Sequence, residues 1–345
     1  MSGHGRLLIL ALFVAVGAVL PAVIPQHQSQ LTELWLFVVF ALTWDLLGGQ
    51  MGYNSFGNVL FFGIGMYACV LIQVGLVYDV GAYNAARGGG ATIFTFDNGQ
   101  YLDGLAIGLP LSGVAAASAA LAVGSVVLRM RGEYFAVCTL GLGFAAAQIA
   151  NAWKWVGAGS GMIAPTPPVV NVGLLYYYLA LALMALTMLY LNWLYATRFG
   201  LAINAIRDDE DKAEAMGLFT TRIKVAAWMI AAFFLGIAGG IYGNVKRFID
   251  PVNVAFPSAT IGVWMVVMAV LGGRGTFLGP IIGAIIFQVT KELFWTYLLG
   301  WQRVALGLLI VVVVVFFPQG IVGWFDRRKP NPSTRGKMLP DAGTR

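Results

Sequence analysis

Ten of the chain's 36 charged residues (21 basic, 15 acidic) fall between positions 198 and 224. At their centre Arg207 precedes four consecutive carboxylates, Asp208, Asp209, Glu210 and Asp211, and then come Lys212, Ala213, Glu214, Ala215 and Gly217. The chemistry open to this run is electrostatic and conformational. Asp208 or Asp209 can cap a short helix, because a side-chain carboxylate accepts from the free backbone N–H groups of a first turn. Glu210 and Asp211 then lie where the helix dipole favours negative charge. Gly217 supplies a left-handed stop, with Leu218 after it as the packing residue. Thr220 and Thr221 can cap the next helix. A short helix held between two apolar segments is a handle that a water-soluble partner can push or pull. An ordinary connecting loop has the same chemistry, and both readings stand at this point.

A second set of polar residues sits inside apolar stretches. Asp45 lies in one, Asn54, Ser55 and Asn58 begin the next, and Glu133, Thr139, Gln148 and Asn151 share another. Asn244, Gln288 and Thr290 complete the set, with Lys291 and Glu292 placed to snorkel or pair. Each is costly in lipid, so each faces other helices or a water path. The candidates for a path are Asn54, Ser55, Asn58, Thr139 and Asn151, although a helix-to-helix hydrogen bond explains any one of them equally well. Catalytic sets are missing. There is no Ser-His-Asp combination, no HExxH, no CxxC and no Walker A pattern. His4 and His27 are terminal or in a loop, and Cys69 and Cys138 both fall in apolar runs, which speaks against metal ligation and a disulfide framework. An intramembrane enzyme is therefore poorly supported. So is a stand-alone carrier or channel, because no row of buried carboxylates is present to couple protons or sodium.

The elements that position these residues must be membrane spans. The 345 residues are 59% hydrophobic and 10% charged, with a mean hydropathy of +0.80, whereas soluble domains carry roughly 25% charge. A bilayer core about 30 Å thick takes about 20 apolar residues per helix. That ruler predicts an all-α polytopic protein of about ten transmembrane helices, near 7–24, 31–47, 56–77, 105–128, 134–153, 173–195, 225–245, 258–272, 277–298 and 303–317. Stretches 134–153 and 258–272 are the two that a re-entrant or broken helix fits as well. The first resembles a secretory signal peptide but lacks a small-x-small cleavage site, so it reads as a retained span. Orientation follows Lys and Arg placement. With both termini inside, 15 of the 21 basic residues lie on the cytoplasmic side, among them Arg6, Arg129, Arg131, Arg274 and those of 196–224. Residues 1–325 thus form one transmembrane domain with 196–224 as a cytoplasmic segment. Residues 326–345 read as a basic, disordered tail whose Arg327, Arg328 and Lys329 touch anionic lipid. The net charge of +6 is dispersed over loops and tail and is no nucleic-acid signal.

Glycines fall into two groups. Gly236/Gly240, Gly239/Gly243, Gly275/Gly279 and Gly279/Gly283 put small residues on one helix face, which lets backbones approach closely. Gly48, Gly49, Gly52, Gly57, Gly63 and Gly65 read as interruptions that expose backbone groups near a polar ligand. The glycine-rich, slightly acidic stretch 78–103, with Gly88–Gly90, reads as a flexible external connector.

Three segments then act together. TWDLLGGQMGYNSFGNVLFFGIGMYA (43–68), RGEYFAVCTLGLG (131–143) and the run from 198 to 243 resemble the larger permease subunit of branched-chain amino acid ABC importers, a family whose relatives also serve urea and short amides. LGGRGTFLGPIIGAIIF (271–287) and FFPQGIVG (316–323) fit as well, so the resemblance covers about 35–325. It implies an ABC importer permease fold, N-in and C-in, in the bacterial inner membrane. It implies that Arg207 to Gly217 dock on a separate ATPase, with Glu214, Ala215 and Gly217 at the centre. The chain itself would bind no cofactor, since Mg-ATP sits on two cytoplasmic ATPase subunits. A second homologous permease subunit and a periplasmic solute-binding protein complete the machine, and branched-chain amino acids are the solute it implies first, ahead of urea, short amides or other small carboxylates.

Overall fold

Free backbone N–H and C=O groups have no partner in lipid, so an apolar chain closes its hydrogen bonds inside helices. The structure, a computed structural model, describes residues 3–87, 94–166 and 172–298, with single positions beyond up to 321. In order these form α1 (Gly3–Val23), α2 (Gln28–Gly48), α3 (Asn58–Gly75), α4 (Val80–Arg87), α5 (Asn98–Val127), α6 (Glu133–Ala152), α7 (Val172–Tyr195), α8 (Arg198–Asp208), α9 (Glu210–Ala215), α10 (Thr220–Lys246), α11 (Val263–Gly272) and α12 (Gly279–Tyr297). Two short strands, β1 (Met162–Ile163) and β2 (Phe248–Ile249), pair antiparallel. Seven helical stretches among the described residues are long and apolar enough to cross a membrane: those of α2, α3, α5, α6, α7 and α10, and Pro251–Gly272. The chain is an all-helical, multi-pass membrane protein.

Several boundaries differ from the sequence reading. The expected span at 105–128 begins at Asn98, because Asp97 accepts from the Gly99 amide while its own amide donates to Gln100, a capping box. The connector before it holds an eight-residue helix, α4, where a flexible loop was expected; Gly88–Gly90 lie outside the described residues. Stretch 134–153 is one continuous helix. Stretch 258–272 starts earlier and irregularly, as two π-turns, Pro251–Ala255 and Ser258–Gly262, broken at Phe256 and Pro257 before α11. The expected spans at 303–317 and the tail at 326–345 fall mostly or wholly outside the described residues.

The packing centre is α10, wedged between α3 and α5. A Cβ on Gly65 of α3 would lie 2.2 Å from the Gly236 carbonyl, and one on Gly239 would lie 2.0 Å from the Phe62 carbonyl. On the other side Ser112 of α5 donates to Gly236 O at 3.2 Å. The four-residue glycine spacings therefore bring three backbones together. The same device closes the α11–α12 hairpin, where a Cβ on Gly283 would stand 1.8 Å from Met268 O. Gly63 and Gly65 do not interrupt α3, contrary to expectation. They lie within the helix and admit Phe256 and Gly236; only 49–57 is irregular there. At the opposite end from α9, Glu33 of α2 takes both Lys246 of α10 (2.5 Å) and Lys291 of α12 (2.9 Å), and Lys291 also lies 4.8 Å from the Phe37 ring centre. Asp45 of α2 accepts from the Gly275 amide at 2.7 Å, tying α2 to the α11–α12 turn.

Candidate functional site

The charged interruption is two helices, not one. Phe199, Ile203 and Ile206 recur at helical spacing, and Ile203 and Ile206 are buried with Gly200 under α8. That signal was present in the sequence but lay in the shadow of the charges. Asp209 then takes an extended backbone and divides α8 from α9. Its carboxylate accepts from the Lys212 amide at 3.1 Å, so Asp209, not Asp208, is the cap. The Lys212 ammonium, 2.9 Å away, and after it the Lys212 amide hold the Asp209 carboxyl below its ordinary value. Gly217, at φ +88°, stops α9; its amide reaches Glu214 O and the Leu218 amide reaches Ala213 O. Thr220 does not cap α10. It is the first residue of that helix, and its hydroxyl donates to Glu214.

The carboxylates divide by direction. Arg207 pairs with its neighbour Asp208 at 3.2 Å and packs over Gly52. Ala213 is buried, while Asp211, Glu214, Ala215, Met216, Gly217 and Phe219 are exposed. Met216 is 85% and Phe219 69% exposed, an uncovered apolar pair beside Glu214. Glu210 alone turns inward. Lys224 of α10 lies 2.7 Å from it, and the Tyr53 hydroxyl donates to it. Lys224 also donates to Tyr53 at 3.0 Å and sits 4.6 Å from that ring's centre. The Lys224 side chain is 2% exposed and the Glu210 side chain 12%. Burial would raise the Glu210 carboxyl, but the hydrogen bonds from Lys224 and Tyr53, with the Lys224 and Arg131 charges, hold it below its ordinary value. Burial and the facing carboxylate push the Tyr53 phenol up, so it remains a donor. Arg131, in the turn before α6, spans three carboxylates: Asp211 at 2.6 Å, Glu210 at 3.6 Å and Glu214 at 3.7 Å.

The candidate path residues separate. Ser55, Asn58 and Thr139 are brought together and buried. Ser55 O accepts from Trp44 at 2.7 Å, Thr139 Oγ1 from the Phe56 amide at 3.1 Å, and Asn58 Oδ1 from Trp228 at 3.1 Å. Each is engaged in holding the 49–57 turn and α3 against neighbouring helices. Asn54 beside them is exposed, and Asn151 is exposed at the far end of α6. α6 packs along one stripe, Phe135, Thr139, Gly143, Ala147 and Ala150. Its other side, with Val137, Gly141, Ala145 and Gln148, is uncovered.

The description "branched-chain amino acid transport system / permease component" belongs to the family that matches residues 29–315. The chain is a member of that family. Among its relatives is the high-affinity branched-chain amino acid transport system permease protein LivM of Salmonella typhimurium, 28% identical over 342 residues, with 88% of this chain and 77% of the relative covered. LivM of Escherichia coli is 29% identical over 321 residues, covering 85% and 72%. The LivH permease protein of Salmonella typhimurium is 31% identical over 144 residues, 41% and 44% of the two chains. No solved structure matches. In this permease the segment from α8 to Gly217 is the one long, charged, largely uncovered insertion between two candidate spans among the described residues.

Proposed function

We propose that this permease component is one of two related membrane subunits in an ATP-driven importer of branched-chain amino acids in the bacterial inner membrane. Both termini and the α8–α9 segment lie in the cytoplasm, in keeping with the distribution of Lys and Arg. Two ATPase subunits carry the nucleotide, and one of them grips α9. The observation that carries this reading is the rim of α9: a capped, glycine-stopped helix between α7 and α10 that leaves Met216, Phe219 and Glu214 exposed. Interface centres favour exposed apolar anchors ringed by polar groups. A soluble binding protein delivers solute on the other face.

The second permease subunit packs on the uncovered side of α6, and the solute path follows that seam between Asn54 and Asn151. Among the exposed Val137, Phe144 and Ile149 of α6 stand Gln148 and Gly141, which suit a protein or water neighbour, whereas the exposed sides of α5 and α7 present Ile107, Leu111, Leu121, Leu186 and Leu189, which suit lipid. The test is reconstitution. Liposomes holding the chain with its partner permease, ATPases and binding protein take up leucine only with ATP, and liposomes holding the chain alone take up none. Uptake by the chain alone rejects the subunit reading in favour of a stand-alone carrier.

A further inference from the structure

We infer that Glu210 is the pin through which movement of α9 reaches the membrane helices, with Lys224 and Tyr53 as its socket. The inference rests on the reading of α9 as the place an ATPase grips. It concerns the inward side of that helix, away from the rim that touches the partner.

A handle transmits force only where it is fastened. Arg131 fastens α9 weakly: it is half exposed and shared among three carboxylates, and exposed pairs hold geometry poorly. Glu210–Lys224 is different. At this end of the molecule it is the one ion pair among the described residues with both side chains largely out of water. The Tyr53 hydroxyl bridges the two charges, donating to Glu210 and accepting from Lys224. A displaced Glu210 strands a buried ammonium, so the three groups move together or the pair breaks.

The socket is built on three other elements. Lys224 belongs to α10, and Tyr53 to the turn that leads into α3. Tyr53 stands edge-on to Phe135 of α6 at 5.4 Å, Phe135 meets Trp228 of α10 at 5.8 Å, and Trp228 meets Phe61 of α3 at 4.9 Å. Trp228 also donates to Asn58. A packed stack of this kind shifts as a unit rather than deforming continuously. Glu210 thus reaches α3, α6 and α10 in one step, including the helix whose uncovered side the second subunit takes.

The experiment uses the assembled importer in proteoliposomes and reads three quantities: ATPase co-purification, ATP hydrolysis, and leucine taken up per ATP. Glu210→Gln keeps the ATPase bound and hydrolysing but lowers uptake per ATP roughly tenfold, the size expected for a lost coupling contact. Tyr53→Phe, which keeps the ring stack, lowers it in the same direction by less. The swap Glu210→Lys with Lys224→Glu recovers part of the ratio lost in Glu210→Lys alone. An unchanged ratio in Glu210→Gln and Tyr53→Phe with the ATPase bound overturns the inference. Loss of ATPase co-purification in Glu210→Gln also overturns it, by making Glu210 a docking residue. If the unaltered chain fails to hold the ATPase, it is the underlying reading that has failed.

Discussion

Lys224 keeps 2% of its side chain in contact with solvent, and everything that makes that tolerable is within reach of its ammonium: a carboxylate, a phenol oxygen and an aromatic face. Removing one partner of such a pair costs about 3–5 kcal/mol, whereas exposed pairs are worth about 0–1 kcal/mol. Lys224→Ala is therefore expected to lower the melting temperature in detergent clearly, while Lys212→Ala, whose partner Asp209 stands in water, leaves it nearly unchanged. Acid gives a second check. The Glu210 carboxyl titrates below its ordinary value, so its contribution is present above the unfolded-state pKa of roughly 4.3. It fades only as pH falls through the lower folded-state value. The stability gap between the unaltered protein and Glu210→Gln should be flat through neutral pH and close only in that acid window. At this scale the sequence was readable wherever a partner was close in the chain. The Asp209 cap and the Gly217 stop are three-residue affairs. Tyr53 and Glu210 are 157 positions apart, and no spacing rule joins them, so in the sequence Glu210 is a dipole-facing charge within the stretch that family likeness assigns to ATPase docking, with no sign of its inward partners.

Helices meet here through absent side chains. A Cβ on Gly239 would stand 2.0 Å from a backbone oxygen of α3, which cannot rotate away, whereas one on Gly141 meets nothing within 4 Å. Gly239→Val is expected to abolish monodisperse material in size-exclusion chromatography. Gly141→Ala in the isolated chain should elute and melt like the parent. These elements were largely legible, because hydropathy marks a span and four-residue glycine spacing marks a contact face. What escaped was short or irregular. α4 and α8 are too brief to stand out beside the spans. The π-turns at 251–262 begin at a local cap, Asp250 accepting from the Val252 and Asn253 amides, but their irregular course also depends on Phe256 entering the space left by Gly63, which is a fact of tertiary placement.

For the whole molecule the orientation is the measurable claim. In a functional background a cysteine at Lys212 should react with a membrane-impermeant maleimide only in inverted vesicles, and one at Lys154 only in intact cells. The positive-inside count is what predicts this arrangement, since topology depends on totals rather than contacts. The proposed partnership with other chains rests on family likeness, because a surface that takes a neighbour has no local grammar of its own. α6 shows what that means in practice. It touches its own chain along a narrow ridge of mostly small residues and turns an amide, Gln148, toward whatever lies outside. A subunit purified in isolation should therefore let deuterium into this segment faster than into α10. Co-expression with the companion permease should slow that exchange while leaving α5 as it was, and detergent choice should matter least when the two travel as a pair.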